Sequence, residues 1–258
     1  MIQIRNLTKC FGDLKAVNNL SLDIAPGEFF AFLGPNAAGK TTTIKLLAGL
    51  LRPTSGSCSI GGHDLQRDAQ AAKRLLAYVP DFPFLYEKLT CGEFMRFIGE
   101  MFEMEPAEIP RRTGALFERF GLDTFRHELT ENLSHGTRQR LVIASALVHN
   151  PKVLIIDEPM VGLDPTHARI VKDELKERSR DGMTIFLSTH QLGVAEELAD
   201  RIGIIGQGQL VALGTLEELR RQTTGTRALE DIFLSLVGGE DQAAPNPFGI
   251  NQPTKETL

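Results

Sequence analysis

The feature that most constrains this chain is an eight-residue segment, Gly34 to Thr41, which reads GPNAAGKT and fits the pattern GxxxxGK[ST]. A short apolar run, Glu28 to Leu33, comes before it, and helical character follows to about Leu50. A loop between a strand and a helix points its backbone N–H groups and the positive end of the helix at the same phosphate oxygens. The segment therefore predicts a phosphate-binding loop in an α/β fold. A glycine-rich turn with an exposed lysine is the alternative.

Individual positions of this loop have different expected contacts. Lys40 is expected to reach the β- and γ-phosphates of a nucleotide and to act in catalysis, and the Thr41 hydroxyl is expected to ligate Mg²⁺. The loop and the first helical turn supply the remaining contacts. The predicted nucleotide-binding residues of this segment are Gly34, Asn36, Ala37, Ala38, Gly39, Lys40, Thr41 and Thr42.

A second segment, Val153 to Glu158, reads VLIIDE and places two acids after four apolar residues. A buried strand that ends in carboxylates delivers them to the edge of an open α/β sheet where ligands bind. Asp157 is expected to hold Mg²⁺ through its water shell, and Glu158 to orient and deprotonate an attacking water. Such a general base contributes roughly 10²–10⁴ in rate. The alternative is a strand ending in solvated acids, and the phosphate loop upstream favours the catalytic interpretation.

The order of the other elements favours a single nucleotide-binding core with an insertion. Alternating apolar residues between Ile2 and Ile24 predict a β-rich start, and residues 81–150 favour helix almost throughout. Strand signals return at 152–156, 183–188 and 201–205. We therefore predict an α/β fold: a P-loop NTPase core with an N-terminal antiparallel β-subdomain and an inserted helical subdomain. The predicted bounds are 1–220 for the core with its insertion at about 81–150, 221–237 for a C-terminal helical extension, and 238–258 for a tail without a fixed fold.

Composition restricts the partners, the cysteine chemistry and the cellular location that we expect for this protein. The formal net charge of −5 gives no global electrostatic reason to expect a polyanionic partner. Three cysteines, Cys10, Cys58 and Cys91, form no CxxC pair, so neither a disulfide framework nor a zinc cluster is indicated. No apolar run approaches the roughly 20 residues that span a bilayer, and the N-terminus lacks the apolar core of a signal peptide. We expect a cytoplasmic protein that reaches a membrane only through a partner.

A third motif, Leu133 to Thr137, reads LSHGT and lies shortly before the acidic strand. With the phosphate loop and the two acids in this order, the sequence resembles the ATPase subunits of ATP-binding cassette (ABC) transporters over roughly Ile2 to Leu219, and LSHGT occupies the place of the LSGGQ signature. The resemblance implies that Ser134 and the Gly136 backbone bind the γ-phosphate of an ATP held by the opposite subunit. Ser134 is also a good N-cap for a helix, whose N-terminus attracts anions. An ordinary capped helix start is the alternative.

Three further residues fit the same family pattern. Asp164 ends a GLD segment that resembles the D-loop, which communicates between the two ATP sites of a dimer. His190 resembles the switch histidine that contacts the γ-phosphate and positions the attacking water. Phe11 falls where the family places an aromatic ring against adenine, with a core phenylalanine as the alternative. The other histidines, which we expect to be surface or structural residues, are His63, His127, His149 and His167.

The sequence departs from the family pattern at four positions. Ala37 replaces a common glycine, and its methyl group costs about 1–2 kcal/mol if that residue needs a positive φ. His135 and Thr137 replace glycine and glutamine of the signature, and a protonated His135 near a γ-phosphate would add an attractive charge. Asp81 replaces a glutamine whose side chain touches Mg²⁺ or the attacking water, and its carboxylate is a hard oxygen ligand suited to Mg²⁺.

The family resemblance also implies partners. We expect a homodimer or heterodimer of nucleotide-binding subunits that sandwiches two Mg-ATP molecules, on the inner face of the cell membrane. An exporter with a separate six-span permease is the expected complex. Aromatic residues between Phe82 and Met101 fit either a groove for a short helix of that permease or the core of the helical subdomain. The alternative functions are a soluble ABC-type ATPase that acts on nucleic acid or ribosomes, and a nucleotide-dependent regulatory subunit.

Overall fold

The computed structural model describes residues 1–222 and 229–237, and the predicted tail at 238–258 lies outside the described residues. Its strands are β1 (Ile2–Phe11), β2 (Leu14–Ile24), β3 (Phe29–Leu33), β4 (Ser55–Ile60), β5 (His63–Asp64), β6 (Leu76–Val79), β7 (Val153–Asp157), β8 (Thr184–Ser188), β9 (Arg201–Gly206) and β10 (Gln209–Gly214). Its α-helices are α1 (Lys40–Leu47), α2 (Ala69–Arg74), α3 (Cys91–Met101), α4 (Glu108–Phe120), α5 (His135–Leu147), α6 (Pro165–Arg180), α7 (Leu192–Leu198), α8 (Leu216–Gln222) and α9 (Leu229–Val237).

The first sheet is antiparallel and has the strand order β2-β1-β4-β5. Ile2 and Ile4 of β1 pair with Ile24 and Leu22 of β2, and all four side chains are buried. Because successive side chains of a strand point to opposite faces, this apolar set packs together on one face of the sheet. The predicted N-terminal antiparallel β-subdomain is confirmed.

The second sheet has the strand order β10-β9-β3-β8-β7-β6. Strands β9, β3, β8, β7 and β6 are parallel, and only β10 is antiparallel to its neighbour. Every residue of β3, β7 and β8 is buried, because apolar clusters that include helices cover both faces of the sheet. This arrangement confirms the predicted α/β core and places the carboxyl ends of β3, β8 and β7 side by side.

The inserted segment contains less helix than predicted. Helices α3, α4 and α5 are present, but residues 80–90 and 121–134 are non-helical apart from two short 3₁₀ turns. Pro80 and Pro83 lack the backbone donor that a helix interior needs, and each disfavours the helical conformation of the residue before it, so a helix across this segment is opposed. Helix α3 begins only at Cys91, where a capping box between the N-cap Thr90 and Glu93 satisfies the first turn. The three helices share one apolar cluster with the second sheet, so the insertion packs on the core.

The last two helices pack on the edge of the second sheet. Leu219 of α8 and Leu229 and Ile232 of α9 are buried with Ala31 and Ile202 of the sheet. Helix α8 spans the predicted boundary at residue 220, and the proposed domain bounds stay predictions. Within residues 1–222 and 229–237, none of the helices is both long enough and apolar enough to cross a membrane.

Candidate functional site

Three loops that carry predicted site residues meet at one edge of the second sheet. Strand β8 lies between β3 and β7 and is parallel to both. In this register Ser188 lies opposite both Phe32 and Asp157. The phosphate loop after β3, the two acids at the end of β7 and His190 after β8 therefore border one site, in the position where parallel α/β sheets bind ligands.

The phosphate loop ends where α1 begins. Gly39 precedes that helix with a φ of 104°, and no side chain caps the helix there. A Cβ atom on Gly39 would overlap the carbonyl oxygen of Ala16, so only glycine fits at this position. The first N–H groups of α1 are thereby left to an anion, as the sequence motif requires.

Lys40 is folded back over the loop. Its Nζ donates to the carbonyl oxygens of Gly34 at 2.5 Å and Pro35 at 2.9 Å. Burial lowers the pKa of Lys40, and the negative charges of Glu158 and Asp157 oppose this shift. The ammonium therefore faces both the loop and the acids. Phosphate oxygens of a nucleotide would take the place of its carbonyl partners and, because they are charged, would form stronger hydrogen bonds with it.

The two alanines of the loop have different positions. Ala37 is exposed and has a φ of 62°, so the condition under which its methyl group costs about 1–2 kcal/mol is met. Ala38 is buried, its N–H donates to Pro35 O at 3.3 Å, and its carbonyl accepts from Gly208 at 2.9 Å. Neither Ala38 nor Gly34 lines the cavity beside the loop, and their contacts with a nucleotide stay predictions.

This cavity has a volume of about 680 Å³ and opens between the phosphate loop, the β1–β2 turn and the β9–β10 turn. Phe11 is 49 % exposed at its edge, so the alternative of a core phenylalanine is wrong. The predicted residues that line the cavity are Phe11, Asn36, Ala37, Gly39, Lys40, Thr41 and Thr42. Leu14, Lys15, Gln207 and Gly208 also line it, and no motif in the sequence marks these residues at the start of β2 and in the β9–β10 turn.

Carboxylates gather where β7 ends. Asp157 is 3 % exposed, and its burial, with the negative charges of Asp81 and Glu158, raises its pKa to about 6. Asp81 is exposed, and its carboxylate accepts a bond from Phe82 N at 2.8 Å. Asp81 thus lies near enough to Asp157 for their charges to interact, and a cation between the loop and these acids would be stabilised.

Glu158 and His190 are in direct contact. The Glu158 carboxylate accepts from His190 N at 2.8 Å and lies 2.7 Å from His190 Nδ1. Its other oxygen accepts from the hydroxyl of Thr189 at 3.0 Å, and Thr189 is 1 % exposed. Glu158 itself has a φ of 47°, a strained conformation of the kind found at active sites. Thr189 was missed from the sequence, and its only signal was its position beside His190 at a strand end.

The signature segment forms the predicted helix start. Ser134 is the N-cap of α5, and its Oγ accepts from Thr137 N at 3.3 Å and lies 2.9 Å from Thr137 Oγ1. Arg140 Nη2 donates to the same threonine hydroxyl at 3.2 Å, so Thr137 joins the cap to a buried arginine. Ser134 and Gly136 do not line the nucleotide cavity of their own chain.

Asp164 caps a helix. Its Oδ1 accepts from the N–H groups of Thr166 and His167, both at 3.0 Å, at the start of α6. Its Oδ2 lies 2.5 Å from His167 Nδ1, and this contact helps to lower the pKa of Asp164. The structure does not bring Asp164 to the nucleotide cavity of its own chain, and its predicted contact with nucleotide stays a prediction.

Comparison with known proteins agrees with this geometry. The family model described as ABC transporter matches residues 17–161. The linearmycin resistance ATP-binding protein LnrL of Bacillus subtilis is 35% identical over 89% of this chain and 74% of its own length. The Nod factor export ATP-binding protein I of Cupriavidus metallidurans is 36% identical over 89% of this chain and 76% of its own length. The dimeric post-hydrolysis structure of the ATP-binding cassette MJ0796 bound to ADP and Pi superimposes with a TM-score of 0.77 and 27% identity, covering 84% of this chain and 99% of that one.

The match to the family model and the similarity to its named members cover the phosphate loop, the signature and the acidic strand in their expected order. The chain therefore belongs to the ABC transporter family and is an ATP-binding and ATP-hydrolysing subunit of such a transporter.

Proposed function

We propose that two such subunits close around two ATP molecules and that this closure drives a separately encoded permease that exports its substrate. The observation that carries the dimer is the position of the signature. Ser134 and Gly136 stand at a helix N-terminus, which attracts anions, yet neither residue lines the nucleotide cavity of the same chain. A second subunit can supply the γ-phosphate that this N-terminus lacks. The dimeric state of the MJ0796 cassette supports the proposal.

Each side of the proposed nucleotide site has a role. Lys40 holds the β- and γ-phosphates with the loop N–H groups, and the ring of Phe11 covers the adenine at the cavity edge. Glu158 deprotonates the attacking water. Hydrogen bonds from Thr189 and His190 already orient its carboxylate for this role. His190 lies beside that carboxylate and contacts the γ-phosphate. Hydrolysis removes the group that bridges the subunits and reopens the dimer.

The residues present fit Mg²⁺. Thr41 offers a hydroxyl on the exposed side of the loop, and Asp157 and Asp81 offer carboxylates whose mutual repulsion contributes to the raised pKa of Asp157. Within the described parts of the chain, no group of three or more His, Cys, Asp or Glu side chains could hold a metal. Mg²⁺ would therefore bind together with nucleotide, through Thr41, Asp157 and Asp81. When bound, it would neutralise charge on the phosphates.

A surface on the inserted segment fits the permease. Phe82, Phe84, Tyr86, Phe97 and Met101 are all exposed, and Tyr86 packs edge-on against Phe84 and Phe97. Leu85 and Phe94 are buried instead, so the alternative of a subdomain core holds for those two residues only. We name the five exposed residues the aromatic surface. Exposed apolar residues of this kind mark a protein interface, here for a short helix of a permease on the inner face of the membrane.

The names of two relatives support export over import. One is a linearmycin resistance protein and the other a Nod factor export protein. We infer that this subunit energises outward transport, and that the exported compound is chosen by the permease.

The test is the Glu158→Gln variant. It keeps the shape of the side chain but removes the base, so ATP should bind, the dimer should persist on size-exclusion chromatography with light scattering, and turnover should fall by about 10² or more. Adding Ser134→Ala should abolish that dimer while each monomer still binds nucleotide. Fast hydrolysis by Glu158→Gln, or an ATP-bound dimer that ignores Ser134→Ala, would contradict the proposal.

The partner is tested separately. A tagged copy purified from solubilised membranes should recover a multi-span protein, and Phe84→Asp in the aromatic surface should release it. Recovery of ribosomes or nucleic acid instead would refute the transport role.

A further inference from the structure

His135, one of the two signature residues that depart from the family pattern, packs against the D-loop of its own chain. It is the first residue of α5, directly after the N-cap Ser134. A Cβ atom built on Gly162 would overlap His135 Nδ1 and would lie 2.7 Å from His135 Cε1. The imidazole therefore occupies the space that any side chain at position 162 would need.

Gly136, the next residue of the signature, brings its backbone close to the same loop. A Cβ atom on Gly136 would lie 3.0 Å from the carbonyl oxygen of Gly162 and 3.7 Å from Leu163 Cδ2. Gly162 has a φ of 77°, a conformation that favours glycine. The first turn of α5 and the D-loop thus lie in contact, with the His135 ring filling the gap between them.

The D-loop connects this contact to the proposed base. Val161 N donates to Glu158 O at 3.2 Å, and Leu163 N donates to Met160 O at 3.3 Å, so the segment from Glu158 to Leu163 is a compact double turn. Gln139 of α5 reaches the same segment through its Nε2, which lies 3.5 Å from Pro159 O. One short turn therefore separates Glu158 from the residues that contact the α5 N-terminus.

We propose that His135 is a positioning residue that couples the signature to the Glu158 of its own subunit through Gly162. This inference rests on the proposed function, in which the signature engages an ATP held by the other subunit. When the α5 N-terminus is drawn toward that γ-phosphate, the imidazole moves with it and fixes the D-loop. Glu158 then reaches its working position only when the partner's nucleotide is in place. A glycine at position 135 would remove the ring that fills the gap between the first turn of α5 and the D-loop.

The test is a double-mutant cycle on kcat with His135→Gly, Gly162→Ala and the double variant. When His135 is present, the methyl group that Gly162→Ala adds displaces the imidazole ring. We therefore expect Gly162→Ala to lower kcat about fivefold relative to wild type. In the His135→Gly background the strain of an alanine with positive φ remains, but there is no ring to displace, so this additional loss should vanish. Equal effects of Gly162→Ala in the two backgrounds would overturn the proposal.

A second measurement distinguishes positioning from a loss of folding. His135→Gly should lower kcat about fivefold while its melting temperature and its equilibrium affinity for ATP stay at wild-type values. His135→Phe, which keeps a ring against Gly162, should retain most of the activity. If Gly162→Ala does not fold in either background, these two variants decide the question, and equal kcat values for Gly and Phe at position 135 would refute the coupling.

Two controls separate this inference from the proposed function. His127→Gly, at an exposed histidine of the inserted segment, should show no coupling with Gly162→Ala in the same cycle. Ser134→Ala should abolish the ATP-bound dimer of Glu158→Gln. Loss of that dimer without coupling between positions 135 and 162 would overturn only the inference, whereas a dimer that persists would overturn both.

Discussion

Replacing Asp157 by asparagine should make the protein without nucleotide more stable. Asp157 is 3 % exposed, and burial raises its pKa from the ordinary value of 3.8 to about 6. The folded protein therefore holds this proton more tightly than the unfolded chain, and ionisation of the carboxyl at neutral pH opposes folding. Asparagine has the same shape and never ionises, so the variant avoids this cost.

The size of the effect follows from the difference between the two pKa values. A gap of about two units corresponds to about 3 kcal/mol at pH 8, where both states are ionised. At pH 5 the folded carboxyl is mostly protonated, and the advantage of Asp157→Asn falls to about half. In the wild type this contribution to stability is present at low pH, is lost between about pH 4 and pH 6, and is constant above that range. For a chain of this length, 3 kcal/mol raises the melting temperature by about 6–12 °C.

The assay is urea unfolding of wild type and Asp157→Asn at pH 5 and pH 8, in EDTA and without nucleotide. Asp173→Asn on α6, where the aspartate is 62% exposed, is the matched control and should change stability by less than about 0.5 kcal/mol. Adding Mg-ATP should stabilise the wild type more than Asp157→Asn, because the variant lacks a proposed metal ligand.

Two results would refute this reasoning. If Asp157→Asn is no more stable than wild type at pH 8, burial does not penalise the charged carboxyl. If its advantage is the same at pH 5 and pH 8, the gain comes from packing or hydrogen bonding and not from ionisation.

Thr189→Val should lower kcat about tenfold with ATP affinity unchanged, because the Glu158 carboxylate loses a hydrogen-bond donor, whereas Thr189→Ser should keep a kcat near that of wild type. Equal activity of the two variants in a steady-state ATPase assay would count against this role of Thr189. Ala37→Gly should raise the unfolding free energy by about 1 kcal/mol in a urea titration, because glycine relieves the positive φ, and a loss of stability would contradict the strain argument. His149 stacks on Phe102 with ring centroids 3.6 Å apart, and burial lowers the pKa of His149 to about 4. The neutral imidazole therefore contributes fully to stability above about pH 6.5, and this contribution is lost as the pH falls toward 4. His149→Phe should therefore lose less stability than wild type between pH 6.5 and pH 4.5, and parallel losses in both proteins would show that this imidazole is not the cause.

The sequence by itself predicted the parts of the site that are contiguous. The phosphate loop from Gly34 to Thr41 and the acidic strand ending at Glu158 were placed correctly, because each motif carries its strand, its turn and its chemistry within one short segment. Alternation of apolar residues likewise predicted the first sheet, since a strand has a period of two and a one-residue shift would expose its apolar face. Continuous apolar runs predicted the buried strands of the second sheet, because helices cover both of its faces. The extent of helix in residues 81–150 was overestimated, because prolines and long loops break a composition that favours helix.

The tertiary structure decided what joins these segments. Thr189 contacts Glu158 across 31 residues of sequence, and this contact exists only because β8 pairs with β7. The left-handed backbone of Ala37 and the packing of His135 on Gly162 likewise depend on how loops are held from outside their own segments. A motif specifies the groups that act, whereas the order of strands in the sheet sets the distances between them, and those distances determine which residue positions the base.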